Sequence, residues 1–124
     1  NTPPVFPIYV SMLTLEWLKE NGGIDAIEKL NNQKAALIYN EIDRNPLFKG
    51  FVIEKEDRST MNATFVLNNE AHAAAFDALW KEAGINGLNG HRSVGGYRAS
   101  MYNALSLESV QALVDTMQEL ERTS

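Results

Sequence analysis

The chain has 124 residues, 44% of them hydrophobic and 22% charged, which suits one folded domain and argues against disorder. It has no cysteine, which excludes disulfides and thiolate metal sites, and a net charge of −5, which leaves no broad basic face for nucleic acid. No apolar run approaches the roughly 18 residues of a membrane span, and the start lacks the basic segment of a secretory signal, so a cytoplasmic protein with no membrane or nucleic-acid partner is expected.

Pro3, Pro4 and Pro7 are expected to hold the first residues extended. The chain does not begin with methionine, and Asn1-Thr2-Pro3-Pro4 reads as the interior of a loop, so a piece of a longer protein is expected. A helix is predicted from about Ile8 to Glu20, ended by Gly22-Gly23. Its apolar residues form two stripes, Ile8, Met12, Leu15 and Leu18 on one side and Tyr9, Leu13 and Trp17 on the other. Two stripes point to cover by another domain or a second subunit; the alternative is that both face one core. A second helix is predicted from about Ile24 to Asp43 and stops at Asn45-Pro46.

Phe51-Val52-Ile53 reads as a short strand, followed by a polar turn from Glu54 to Arg58. Met61, Ala63, Phe65 and Leu67 then alternate with Asn62, Thr64 and Val66, the pattern of a half-buried strand, and a hairpin is the simplest connection. Asn68-Asn69 can cap a third helix, about Glu70 to Ala83, with Ala71, Ala75, Phe76, Leu79, Trp80 and Ala83 inward. Glycines at 84, 87, 90, 95 and 96 mark a long irregular stretch. A strand is predicted at about Tyr97 to Tyr102. Ser106 then caps a last helix, with Leu107, Val110, Leu113, Val114, Met117 and Leu120 on one face. The expected fold is α+β: a small antiparallel or mixed sheet of about three strands with helices packed on one face.

Chemistry concentrates in one place. From Ala83 to Leu107 there is none of the chain's 16 acidic residues, while His91, Arg92 and Arg98 stand among the glycines. Glycine lets backbone N–H groups approach a ligand, and arginine offers a planar fork matched to carboxylate and phosphate. The physical reading is a site for a small anion with more than one charged group, against the alternative of a solvated basic loop. His72 reads as a surface residue without a role. Two histidines far apart give no metal site. Glu54 and Glu56 read as a solvated turn, and Ser93 and Ser100 lack an adjacent base in sequence.

The run Gly90-His91-Arg92-Ser93-Val94-Gly95-Gly96-Tyr97-Arg98-Ala99-Ser100-Met101-Tyr102-Asn103-Ala104-Leu105 resembles the signature near the C-terminus of the phosphoserine aminotransferases. Asn1-Thr2-Pro3-Pro4, Trp17-Leu18-Lys19, Gly22-Gly23, Asn32-Gln33-Lys34 and Arg58-Ser59-Thr60-Met61-Asn62 resemble further family segments in family order. The likeness runs along essentially the whole chain. It implies an aminotransferase C-terminal small domain at 24–124, preceded by an interdomain segment and helix at 1–23. It also implies a fold-type I enzyme that uses pyridoxal phosphate, works as a homodimer, and exchanges an amino group between phosphoserine and glutamate and their keto acids in serine biosynthesis.

Residue by residue, the resemblance assigns Arg98 to the substrate α-carboxylate. It assigns His91 and Arg92 to the substrate phosphate or distal carboxylate. Asn1 and Thr2 fall on residues that reach the cofactor phosphate of the neighbouring subunit. Position 97, often methionine in the family, is tyrosine here. None of Lys19, Lys29, Lys34, Lys49, Lys55 or Lys81 matches the lysine to which the family attaches its cofactor, so no catalytic residue is expected here and the chain alone should not transaminate. The alternative is a free-standing, non-catalytic α+β module for a small anionic ligand; such a module would bind phosphoserine by itself.

Overall fold

A computed structural model describes all of residues 1–124. The chain divides into two compact units, Asn1–Leu30 and Asn31–Ser124. Four helices and three strands follow in the order α1 (Val5–Glu20), α2 (Gly23–Arg44), β1 (Phe48–Gly50), β2 (Asn62–Leu67), α3 (Ala73–Glu82), β3 (Tyr97–Ser100) and α4 (Leu107–Thr123). No helix is long and apolar enough to cross a membrane. The α+β class expected from the sequence is the one observed.

In the first unit, α1 begins three residues earlier than expected. Pro7 lies in its first turn, where a backbone N–H would have no intrahelical partner, so the ring costs no bond. No residue of α1 is buried, and both apolar stripes are largely exposed. Asn21 and Gly22 close the helix through N–H bonds to Trp17 and Lys19.

In the second unit, β2 is the central strand of an antiparallel sheet in the order β1-β2-β3. Phe48 pairs with Leu67, and Thr64 pairs with Arg98. Alternation sends Phe48, Ala63, Phe65, Leu67, Tyr97 and Ala99 into the core. There they meet Ile38 and Ile42 of α2, Phe76 and Trp80 of α3, and the inner face of α4. Phe48, Phe65, Phe76 and Tyr97 form one aromatic cluster. Full burial of such a side chain contributes about 1.5–3 kcal/mol.

Both predicted caps are present. Ser106 accepts from the Ser109 N–H at the start of α4, and Asn69 accepts from the Ala71 N–H. The Asn69 cap opens a 3-10 turn, Glu70–His72, so α3 proper starts at Ala73 and its inner face narrows to Phe76 and Trp80. Ala71, Ala75 and Ala83 are exposed. The helix ends as a Schellman motif: Ile85 N–H bonds Trp80, Gly84 N–H bonds Lys81, and Gly84 takes φ 75°.

The first strand is displaced from the expected position. β1 is Phe48–Gly50, and Phe51 and Ile53 are exposed. The Phe51 N–H still bonds the Thr64 carbonyl at 2.9 Å, but beyond it the Val52 carbonyl accepts from Arg58 Nε at 3.1 Å, and the same guanidinium bonds both Asp43 oxygens at 2.9 Å.

One buried charge is unusual. Lys34 is fully enclosed and has no carboxylate partner. Its ammonium donates to the carbonyls of Tyr102 at 2.9 Å and Leu105 at 3.1 Å, stapling α2 to the turn that follows β3. Burial lowers its pKa.

Candidate functional site

β3 carries Arg98 on the open face of the sheet, because its neighbours Tyr97 and Ala99 face the core. The preceding loop folds back against the strand. Gly90 N–H bonds the Gly96 carbonyl at 2.8 Å, and Arg98 N–H bonds the Leu88 carbonyl at 2.7 Å. Only glycine fits at 90: a Cβ there would stand 2.1 Å from the Gly95 carbonyl oxygen. Gly96 has φ 66°, and a Cβ would meet the Phe65 carbonyl oxygen at 2.8 Å, so the loop lies directly on β2.

This places His91 and Arg98 on one cleft of about 240 Å³, walled by Phe51, Thr64, Gly90 and Val94. Arg92 is exposed beside it and does not line it. Asn1 and Thr2 are exposed ahead of α1, and their side chains make no hydrogen bond within the chain.

Charge pairing separates the arginines into two groups. Arg44 pairs with Glu41 and Glu121, Arg58 with Asp43, and Arg122 with Glu119. Arg92 and Arg98 have no carboxylate within 4.0 Å and donate no side-chain hydrogen bond. Their donors are free for an external anion. The acid-free stretch seen in the sequence thus corresponds to two uncommitted guanidinium groups.

Tyr97 supports the strand from beneath. Its hydroxyl donates to Asp77 at 3.1 Å, and the same Asp77 oxygen accepts the Trp80 indole N–H at 3.0 Å. Burial raises the Tyr97 pKa, and the Asp77 carboxylate adds to the rise, so the hydroxyl stays a donor. The departure at position 97 therefore concerns internal packing and touches none of the site's charges.

Sequence reasoning missed Asp77, Thr64 and Phe51. The Tyr97–Asp77 contact joins residues 20 apart across two elements and leaves no local signal. Thr64 was accessible from strand alternation, since it shares an outward face with its cross-strand partner Arg98. His72 is half-buried and lies outside the cleft.

The model of the class-V aminotransferase family matches residues 1–113. A phosphoserine aminotransferase of Flavobacterium psychrophilum is 71% identical over 121 residues, covering 98% of this chain and 34% of that protein. One from Phocaeicola vulgatus is 53% identical, covering 98% of this chain and 35% of that protein. Among solved structures, a phosphoserine aminotransferase from Bacillus circulans superposes with a TM-score of 0.91 at 44% identity, over 99% of this chain and 34% of that one. A phosphoserine aminotransferase from Trichomonas vaginalis with PLP bound superposes with a TM-score of 0.83 at 40% identity, over 95% and 34%. The chain spans about a third of the length of the curated relatives it matches.

Proposed function

The chain belongs to the class-V aminotransferases, and from that membership we propose that it is the substrate-reading C-terminal domain of a phosphoserine aminotransferase. The observation that carries the reading is the pair of uncommitted arginines in an acid-free segment, with Arg98 sharing its cleft with His91. In this reading residues 24–124 are the small domain, and segment 1–23 links it to the remainder of a longer, cytoplasmic enzyme. That remainder, or a second subunit of a homodimer, covers the exposed apolar faces of α1.

Both amino donors, O-phosphoserine and glutamate, carry an α-carboxylate. Arg98 binds it through a planar, two-point fork, which fixes the orientation of the substrate. His91 and Arg92 read the far end, a phosphate in one half-reaction and a carboxylate in the other. The cleft's apolar rim, Phe51 and Val94, limits water at the bound charges and strengthens these contacts.

The fit to pyridoxal phosphate rests on Asn1 and Thr2. Their amide and hydroxyl donors are exposed and unspent, which suits the acceptor oxygens of the cofactor phosphate in the neighbouring subunit. When bound, the cofactor supplies the electron sink for the amino-group exchange. No lysine here is offered to it: Lys34 is enclosed, and none of the other five lines the cleft.

The test is kinetic, in the full-length enzyme. Arg98→Ala should lower kcat/KM about a hundredfold or more with both donors. His91→Ala should impair O-phosphoserine more than glutamate. Equal losses in His91→Ala for the two donors would refute the division of labour, and an unimpaired Arg98→Ala would refute the site.

A further inference from the structure

His91 opens a turn that is closed at several points. Its carbonyl accepts from the N–H groups of Val94 at 2.9 Å and Gly95 at 2.8 Å, and Gly90 is tied to Gly96 immediately outside. The imidazole is held as well. Its Nδ1 lies 2.7 Å from the Ser93 hydroxyl and 3.3 Å from the Ser93 backbone nitrogen.

A backbone N–H can only donate. Nδ1 is therefore the accepting nitrogen, and the Ser93 hydroxyl, which can donate or accept, turns its proton toward the same lone pair. The neutral ring then carries its hydrogen on Nε2. The opposite tautomer would set two N–H groups against each other at Nδ1. It would also present a lone pair at Nε2, which repels an anionic oxygen.

We propose that Ser93 is the positioning residue for His91: it fixes the Nε2–H tautomer and the ring angle, so that a neutral His91 offers an N–H donor to the ligand's phosphate. This rests on the functional reading above and adds a residue that neither charge nor spacing singles out. It also separates the work of the neighbouring cations. Arg92 brings fixed charge, and His91 brings a directed donor without first taking up a proton.

The experiment has two arms. In the full-length enzyme labelled with [15N]histidine, at a pH where the rings are neutral, the His91 resonances are identified by their loss in His91→Gln. The proton is expected on Nε2. Ser93→Ala keeps the backbone donor at 3.3 Å but loses the closer hydroxyl at 2.7 Å, so the ring should shift toward a mixture of tautomers, and Ser93→Thr, which keeps the hydroxyl, should restore it. In the full-length enzyme, Ser93→Ala should raise KM for O-phosphoserine about fivefold with kcat nearly unchanged, and Ser93→Thr should recover it. A proton on Nδ1, or a Ser93→Ala variant with unchanged tautomer and KM, overturns the role of Ser93 and leaves the functional reading intact. A fixed Nε2–H tautomer in an enzyme whose His91→Ala variant binds O-phosphoserine normally overturns the donor to phosphate and the functional reading together.

Discussion

Tyr97→Phe deletes one oxygen from beneath the site and leaves the ring in place. The stack on Phe65 at 5.5 Å and the edge contact with Phe76 at 4.9 Å survive. What is lost is the hydroxyl donated to Asp77. A hydrogen bond to a charged group contributes about 1.5–3 kcal/mol. The Asp77 side chain is 35% exposed, so water can replace the missing donor, and it keeps Trp80 as a partner. The cost therefore falls at the low end, about 1.5 kcal/mol, or about 6 °C of melting midpoint for a chain of this size.

The same substitution has an alkaline signature. The folded-state pKa of Tyr97 is raised by burial and by Asp77. Below about pH 10 the hydroxyl is protonated in both states, and its contribution is complete. Above about pH 10 the unfolded chain loses its proton first, so wild-type stability falls as pH rises toward the folded value. Phenylalanine has no such limb. Urea denaturation of the two proteins at pH 7 and pH 10.5 should show a gap that narrows at the higher pH. A gap that widens, or a Tyr97→Phe protein as stable as wild type at pH 7, would refute the assignment.

Gly90→Ala should open the loop at 90–96, because all the nearest atoms a Cβ would meet are backbone atoms of Gly95 and Gly96. The expected cost is about 1–3 kcal/mol by denaturation, with a loss of O-phosphoserine binding in the full-length enzyme. Gly87→Ala is the comparison, since open space surrounds its Cβ while φ 73° costs about 1–2 kcal/mol; it should spare binding. Glu41 is 4% exposed. Burial pushes its pKa up, but hydrogen bonds from Arg44, Asn45 and Gln118 outweigh burial and hold it below the ordinary range. Its stabilisation is present above about pH 4.3 and lost as pH falls through the lowered folded value. Urea midpoints from pH 7 to pH 3 should fall less steeply in Glu41→Gln than in wild type.

Periodicity carried most of the fold. The face of α4, the caps at Asn69 and Ser106 and the alternation in β2 depend on residues within a few positions of one another, and each appears where spacing placed it. The strand at Phe51-Val52-Ile53 did not survive, because apolar content cannot register a guanidinium arriving from Arg58 to claim the Val52 carbonyl. Charge composition found the segment that carries Arg98 and His91. It could not show that these two share a cleft while Arg92 stands outside it, since that depends on loop 90–96 lying on β2. Nor could it show which arginines were free, because pairing partners such as Asp43 for Arg58 lie far away in sequence.

The enclosure of Lys34 makes it a reporter of local opening. Lys19, Lys29, Lys49, Lys55 and Lys81 are exposed and open to any amine-directed reagent. Lys34 reacts only after its ammonium leaves the Tyr102 and Leu105 carbonyls, sheds a proton and meets solvent. The rate at which a small acylating reagent marks Lys34, relative to the other five, therefore measures how often α2 lets go of the turn behind β3. A ligand that tightens the strand carrying Arg98 should slow that mark, so a distant amine would register occupancy of a cleft it never touches.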